Sequence, residues 1–126
     1  MKTRSAKAKG RRLQDWVRTQ LVKKLGLPAN TDLVTTAIMG EKGMDVKVVS
    51  TLRNKWPFSI ECKNRETFSG IYKILEQSAK QDSNLIPLAF LKMNNMKPLV
   101  ILEAETFLEI YFNDKNMDER QSRTDS

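Results

Sequence analysis

Three residues in this chain have the types and spacing that phosphate chemistry needs: Asp45, Glu61 and Lys63. Glu61 and Lys63 belong to Ile60-Glu61-Cys62-Lys63, at the end of an apolar stretch that reads as a strand. Side chains alternate across a strand, so Glu61 and Lys63 share one face while Ile60 and Cys62 turn into the core. Asp45 sits one strand earlier, flanked by Met44, Val46 and Val48. Pairing those two strands across residues 46 and 60 brings Asp45 and Glu61 together on one side of the sheet. Two adjacent carboxylates are costly to ionise unless a cation lies between them. A divalent ion there offsets the repulsion, acidifies water and balances charge on a phosphate. Lys63 beside it can orient a nucleophile or neutralise a pentavalent transition state. Taken alone, the Glu-x-Lys triplet also fits a solvated strand face with a weak ion pair. Its weight comes from the Asp on the neighbouring strand and the elements around both.

Those elements follow from the hydropathy pattern. Leu13, Trp16, Val17, Leu21 and Leu25 recur at helical spacing and form one apolar face, with Arg11, Gln14, Asp15 and Arg18 off it. Gly26 and Pro28 end that helix. The period then changes to two, giving strands at Leu33–Ala37, at Met44–Val48 after a Gly40–Gly43 turn, and at Phe58–Lys63 behind Pro57. A second helix is expected over about 66–81, with Asn64 to Thr67 as its cap, then a buried strand at Ile86–Met93. A turn through Pro98, a strand at Leu99–Leu102 and a short helix at Glu103–Phe112 follow. The order α-βββ-α-ββ-α implies an α+β or α/β domain with a mixed sheet. Residues 1–9 read as a disordered basic arm, 10–112 as one domain and 113–126 as a polar flexible tail. At 126 residues there is room for one core.

Charge narrows the partners. Residues 1–25 hold nine basic side chains against Asp15, a net of +8, so the other 101 residues carry −1 of the chain's +7. A basic arm leading into a basic helix suits DNA, with Lys7, Lys9, Arg11, Arg12 and Arg18 as expected contacts and Arg65 a further phosphate ligand. A solubilising tail, or one that touches anionic lipid, has the same composition. With one cysteine and no histidine, Ser-His triads and zinc sites are excluded, and any metal must have oxygen ligands, which selects Mg²⁺ or Mn²⁺. No apolar run is long enough for a membrane span, no secretory signal is present, and the lone Cys62 suits a reducing cytoplasm. Trp56 reads as either a base-stacking aromatic or, preferably, a cap on the sheet edge, and Cys62 as a small core side chain.

Gly43-Met44-Asp45-Val46 followed by Ile60-Glu61-Cys62-Lys63 resembles the PD-(D/E)XK nuclease signature. Within that superfamily the chain looks most like archaeal Holliday-junction resolvases and related phage nucleases, which also open with Lys-Gly ahead of a first helix, as Lys9-Gly10 does here. The similarity runs from about residue 9 to 103. It implies a restriction-endonuclease-like core and a Mg²⁺-dependent endonuclease, with Mn²⁺ as a substitute, no small-molecule cofactor, branched DNA as substrate and a homodimeric state. The implied setting is the cytoplasm, that of the host if the chain is phage-encoded. It further implies Asp45, Glu61 and the Cys62 carbonyl as metal ligands and Lys63 as the catalytic lysine. Gln14 stands where relatives often carry a first-helix Glu, and Gln77 resembles a Gln that some present to the site. The other readings left open are a nicking nuclease or exonuclease, and an inactive DNA-binding module on the same fold.

Overall fold

A computed structural model describes residues 2–38 and 43–113, with side chains from residue 6 onward. Helix α1 (Lys2–Lys24) leads into β1 (Val34–Thr36), β2 (Val46–Val48), a 3₁₀ turn (Ser50–Leu52) and β3 (Phe58–Arg65). Helix α2 (Ile71–Gln81), β4 (Ile86–Met93), β5 (Leu99–Ile101) and helix α3 (residues 104–113) complete the chain. The five strands form one mixed sheet in the order β1-β2-β3-β4-β5. Neighbours are antiparallel except β3 and β4, which run parallel because α2 carries the chain back to the starting edge. The result is an α+β domain with the element order expected from the hydropathy pattern. No helix among the described residues is long and apolar enough to cross a membrane.

Alternation on β3 divides the core between the two faces. Ile60 and Cys62 point to α1 and pack with Val34, Val46, Leu13, Val17 and Leu21. Ser59 points to α2, where its hydroxyl donates to the Ser78 carbonyl at 2.9 Å and the Ser78 hydroxyl returns a bond to the Ser59 carbonyl. Beside them Ile74 packs on Ala89 and Leu91. Both serines are fully buried, and this reciprocal pair satisfies them while drawing α2 close to the strands. Glu61 lies two residues beyond Ser59 and therefore also faces the α2 side.

Several expectations need correction. Residues 2–9 are the first turns of α1, not a disordered arm. Ala, Lys and Arg are strong helix formers, and the Asn64 side-chain amide donates to the Lys9 carbonyl at 3.2 Å, tying this segment to β3. Trp16 does not join the buried apolar face and stays 43% exposed, because its flank of α1 opens onto a groove beside β4 and the β4–β5 turn. Helix α2 starts at Ile71, not near Glu66: Asn64 and Arg65 continue β3, and Gly70 takes a left-handed conformation (φ 67°) just before the helix. Strands β1 and β2 are shorter than the alternating pattern suggested. Most of the Gly40–Gly43 turn and of the polar tail lies outside the described residues, and α3 extends through residue 113.

Arg18 also has a role that its type did not announce. Its guanidinium donates to the carbonyls of Val34 (2.8 Å), Thr31 (2.6 Å) and Ala29 (3.3 Å), clamping the segment before β1 onto α1. Those bonds commit it to the fold and remove it from the expected DNA contacts. Arg18→Met is expected to cost about 2–3 kcal/mol in urea unfolding, since carbonyls paired with a charged donor lose their partner. DNA affinity should change little. Wild-type stability in the variant would show that the clamp contributes nothing.

Candidate active site

The site forms where β2 begins beside the middle of β3. Val46 pairs with Ile60, and the Asp45 amide also donates to the Ile60 carbonyl at 3.1 Å, so two successive residues share one partner on the other strand. This departure from a regular ladder turns the Asp45 side chain along the sheet. Its carboxylate Oδ2 accepts the Cys62 amide at 2.7 Å, taking the place of a strand partner. Asp45 is thereby fixed against β3 by two hydrogen bonds, one from its backbone and one to its side chain.

Glu61 is next to it and 6% exposed. Its carboxyl is in hydrogen-bonding contact with Asp45, and its pKa is pushed up to about 8. Burial is the main cause, followed by the hydrogen bond with Asp45 and the charge on that carboxylate; Lys63 and Arg65 pull the other way. Glu61 therefore holds its proton more tightly than an ordinary carboxyl. Lys63 and Arg65 follow Glu61 at two-residue steps on the same face of β3, and Arg65 lies over the Phe68 ring at 5.9 Å. The face thus reads Ser59, Glu61, Lys63, Arg65, passing from a buried anchor through an acid to two cations nearer solvent.

The donor set suits a hard divalent cation. Asp45 and Glu61 offer carboxylate oxygens. Strand geometry sends the Cys62 carbonyl to the same edge as its amide, which already meets Asp45. The Cys62 thiol points instead into the α1 core, where burial raises its pKa well above the ordinary thiol range. It is a core side chain and no soft ligand. Among the described residues no group of three or more acidic, Cys or His side chains gathers as a metal cluster, so further ligands would be carbonyl, water or phosphate oxygens.

The remaining expected site residues are arranged less tightly. Gln14 is half-buried on the flank of α1 toward β1, the same side as Arg18, and none of the hydrogen bonds among the described residues joins it to either carboxyl. Gln77 is exposed. Tyr72, Leu75 and Glu76 line the side of α2 toward β5. At 100° per residue Gln77 falls on the opposite flank, the one nearer Glu61. Lys7, Arg11, Arg12 and Arg65 are exposed and Lys9 is half-buried. Trp56 packs on Phe58 (centroids 4.7 Å apart) and against the α1 core, ahead of the central strand β3 and not at a sheet edge. Sequence reasoning misses the surroundings of Trp16 and Asn64, since no local pattern marks an aromatic left uncovered or an amide half-engaged.

Comparisons with models of protein families, with characterised proteins and with solved structures returned no match.

Proposed function

We propose that the chain is a metal-dependent DNA endonuclease with a restriction-endonuclease-like core, of the PD-(D/E)XK type and similar in character to Holliday-junction resolvases. The observation that carries this reading is the Asp45–Glu61 carboxyl contact with Lys63 two residues on along the same strand face. Asp45 and Glu61, with the Cys62 carbonyl, would hold Mg²⁺ or Mn²⁺. The ion supplies Lewis acidity and positive charge at a phosphodiester. Lys63 positions and stabilises the charged oxygens as water adds to phosphorus and the bond to the departing sugar oxygen breaks. Arg65 holds a neighbouring phosphate, and Gln77 stands on the flank of α2 nearer Glu61, while Gln14 lies on α1 across the sheet from that residue. No small-molecule cofactor enters this scheme. The proposed setting is the cytoplasm, where a buried free thiol such as Cys62 is stable.

A homodimer is the state we propose, because resolution needs two symmetric cuts. Tyr72, Leu99 and Val100, with Phe107 and Leu108 of α3, are large apolar side chains left exposed that a second copy would cover. A second functional reading, DNA binding without cleavage, draws on the amide at Gln14 and on a site that gathers two acids among the described residues. Incubating the protein with supercoiled plasmid, linear duplex, single strands and a four-way junction, with Mg²⁺ or EDTA, separates these readings. Mg²⁺-dependent paired nicks in the junction are expected. Binding with no cleavage of any substrate in Mg²⁺ or Mn²⁺ would replace the nuclease with the inert module.

A further inference from the structure

On the sheet face opposite Glu61, a groove of about 570 Å³ opens between α1 and the β4–β5 turn. Lys9 and Arg12 border it from α1, Lys92 from β4, and Pro98 from the turn, with the Trp16 indole and Asn64 along its wall. Trp16 is the residue that the helical pattern would bury and that the structure leaves 43% exposed. Lys92 Nζ rests at 3.3 Å on the Met93 carbonyl, at the strand end where the groove opens.

Asn64 supplies the most specific feature. Its Nδ2 is engaged by the Lys9 carbonyl at 3.2 Å, which sets the orientation of the amide. Its Oδ1 is buried and has no hydrogen-bond partner among the described residues. A buried acceptor without a donor costs free energy, and such groups in native proteins usually await water or a ligand. The groove offers cations for phosphates and an exposed indole face for stacking, with this held amide along its wall. Nucleic-acid bases present a π-face and, on their pairing edge, N–H donors, but only when unpaired. A duplex keeps those edges occupied and its bases stacked.

We infer that this groove binds an unpaired DNA strand, with a base stacked on Trp16 and its phosphates on Lys9, Arg12 and Lys92. The inference rests on the nuclease reading for its choice of DNA as the polymer. It refines the substrate class to DNA that carries unpaired nucleotides beside a duplex, such as a flap, a gap or an open junction centre. Asn64 adjoins Lys63 in β3, so the groove borders the end of the strand whose middle carries Glu61 on the opposite face.

The test is fluorescence titration of the full chain in EDTA with oligo(dT) and with a blunt duplex of equal length. The second tryptophan, Trp56, has a buried indole nitrogen and serves as the internal reference. Oligo(dT) should quench Trp16, and the duplex should not. Trp16→Leu should weaken oligo(dT) binding about tenfold, within the range for loss of one stacked base, and leave duplex affinity unchanged. Arg12→Gln with Lys92→Gln should lower the slope of log K against log salt for oligo(dT) by about 1.4, as expected for two phosphate contacts on a single strand. These cations are solvent-facing, so that pair reports on the groove even if the Trp16 variant misfolds. Equal quenching by the duplex, or no quenching with an unchanged salt slope, overturns the inference. Because no metal is present, either result is independent of whether the chain cleaves DNA in Mg²⁺.

Discussion

Asp45→Asn or Glu61→Gln is expected to lower Mg²⁺-dependent cleavage by roughly a thousandfold or more, equivalent to about 4 kcal/mol of barrier. Each substitution keeps the shape of the side chain and removes one of the two carboxylates proposed to hold the metal. Neither residue belongs to the basic surface of α1, so DNA affinity in EDTA should stay within about twofold of wild type. Fold stability should hold for Glu61→Gln, because a neutral amide in a buried position relieves carboxyl repulsion. Asp45→Asn is the more exacting case, since Asp45 Oδ2 accepts the Cys62 amide at 2.7 Å and the Asn must present its oxygen there. Lys63→Met should reduce cleavage comparably while leaving Mn²⁺ affinity intact, which separates charge stabilisation from metal holding. Wild-type rates in both carboxylate variants, with normal folding, would remove the metal site. Loss of DNA binding in parallel with cleavage would instead assign these residues to the fold or to phosphate contact.

The raised pKa of Glu61, about 8, predicts a second large effect, in stability. The folded state keeps the Glu61 proton above the ordinary carboxyl pKa of 4.5, at which the unfolded chain releases it. Between those values the folded form binds more protons, so stability falls as pH rises and levels off above about 8. The slope from this one group is at most about 1.4 kcal/mol per pH unit. Metal competes with that proton. Thermal unfolding in EDTA should therefore show a Tm that declines from pH 5 to 8, and stabilisation by Mn²⁺ should be greater at pH 8 than at pH 6. Glu61→Gln should flatten this component of the pH profile and remove most of the Mn²⁺ shift. A Mn²⁺ effect that persists unchanged in Glu61→Gln would place the ion elsewhere.

The pairing of Asp45 with Glu61 is legible in the sequence because strand alternation is a strong local constraint. Once Ile60 must be buried, Glu61 is forced onto the other face, and Val46 does pair with Ile60. The irregular pairing of Asp45 is a detail that alternation does not carry. Element order is legible for a similar reason: the change from helical to alternating period, with breaks at Gly26-Pro28 and at Asp82-Ser83-Asn84, needs only nearest-neighbour information. Boundaries are less so. Helix α2 starts as late as Ile71 because the strand pairing of Asn64 and Arg65 with Lys92 and Met93 outcompetes local helix capping.

Other assignments depend on what lies across a gap, which no spacing rule contains. Arg18 has the type and position of a phosphate contact, but three carbonyls of the 29–34 segment converge on it. Trp16 has the spacing of a core residue, yet the open groove between α1 and the β4–β5 turn leaves its indole uncovered. Asn64 has the type of a helix cap, and only packing of α1 on β3 engages its amide nitrogen while isolating its oxygen. Sequence alone thus determined which residue types could share a strand face, because alternation is a property of each strand by itself. Tertiary structure decided which cations are committed to the fold, which aromatic stays exposed, and how strongly Glu61 holds its proton. Those properties are set by burial and by partners distant in sequence, and the hydropathy of neighbouring residues carries no record of them.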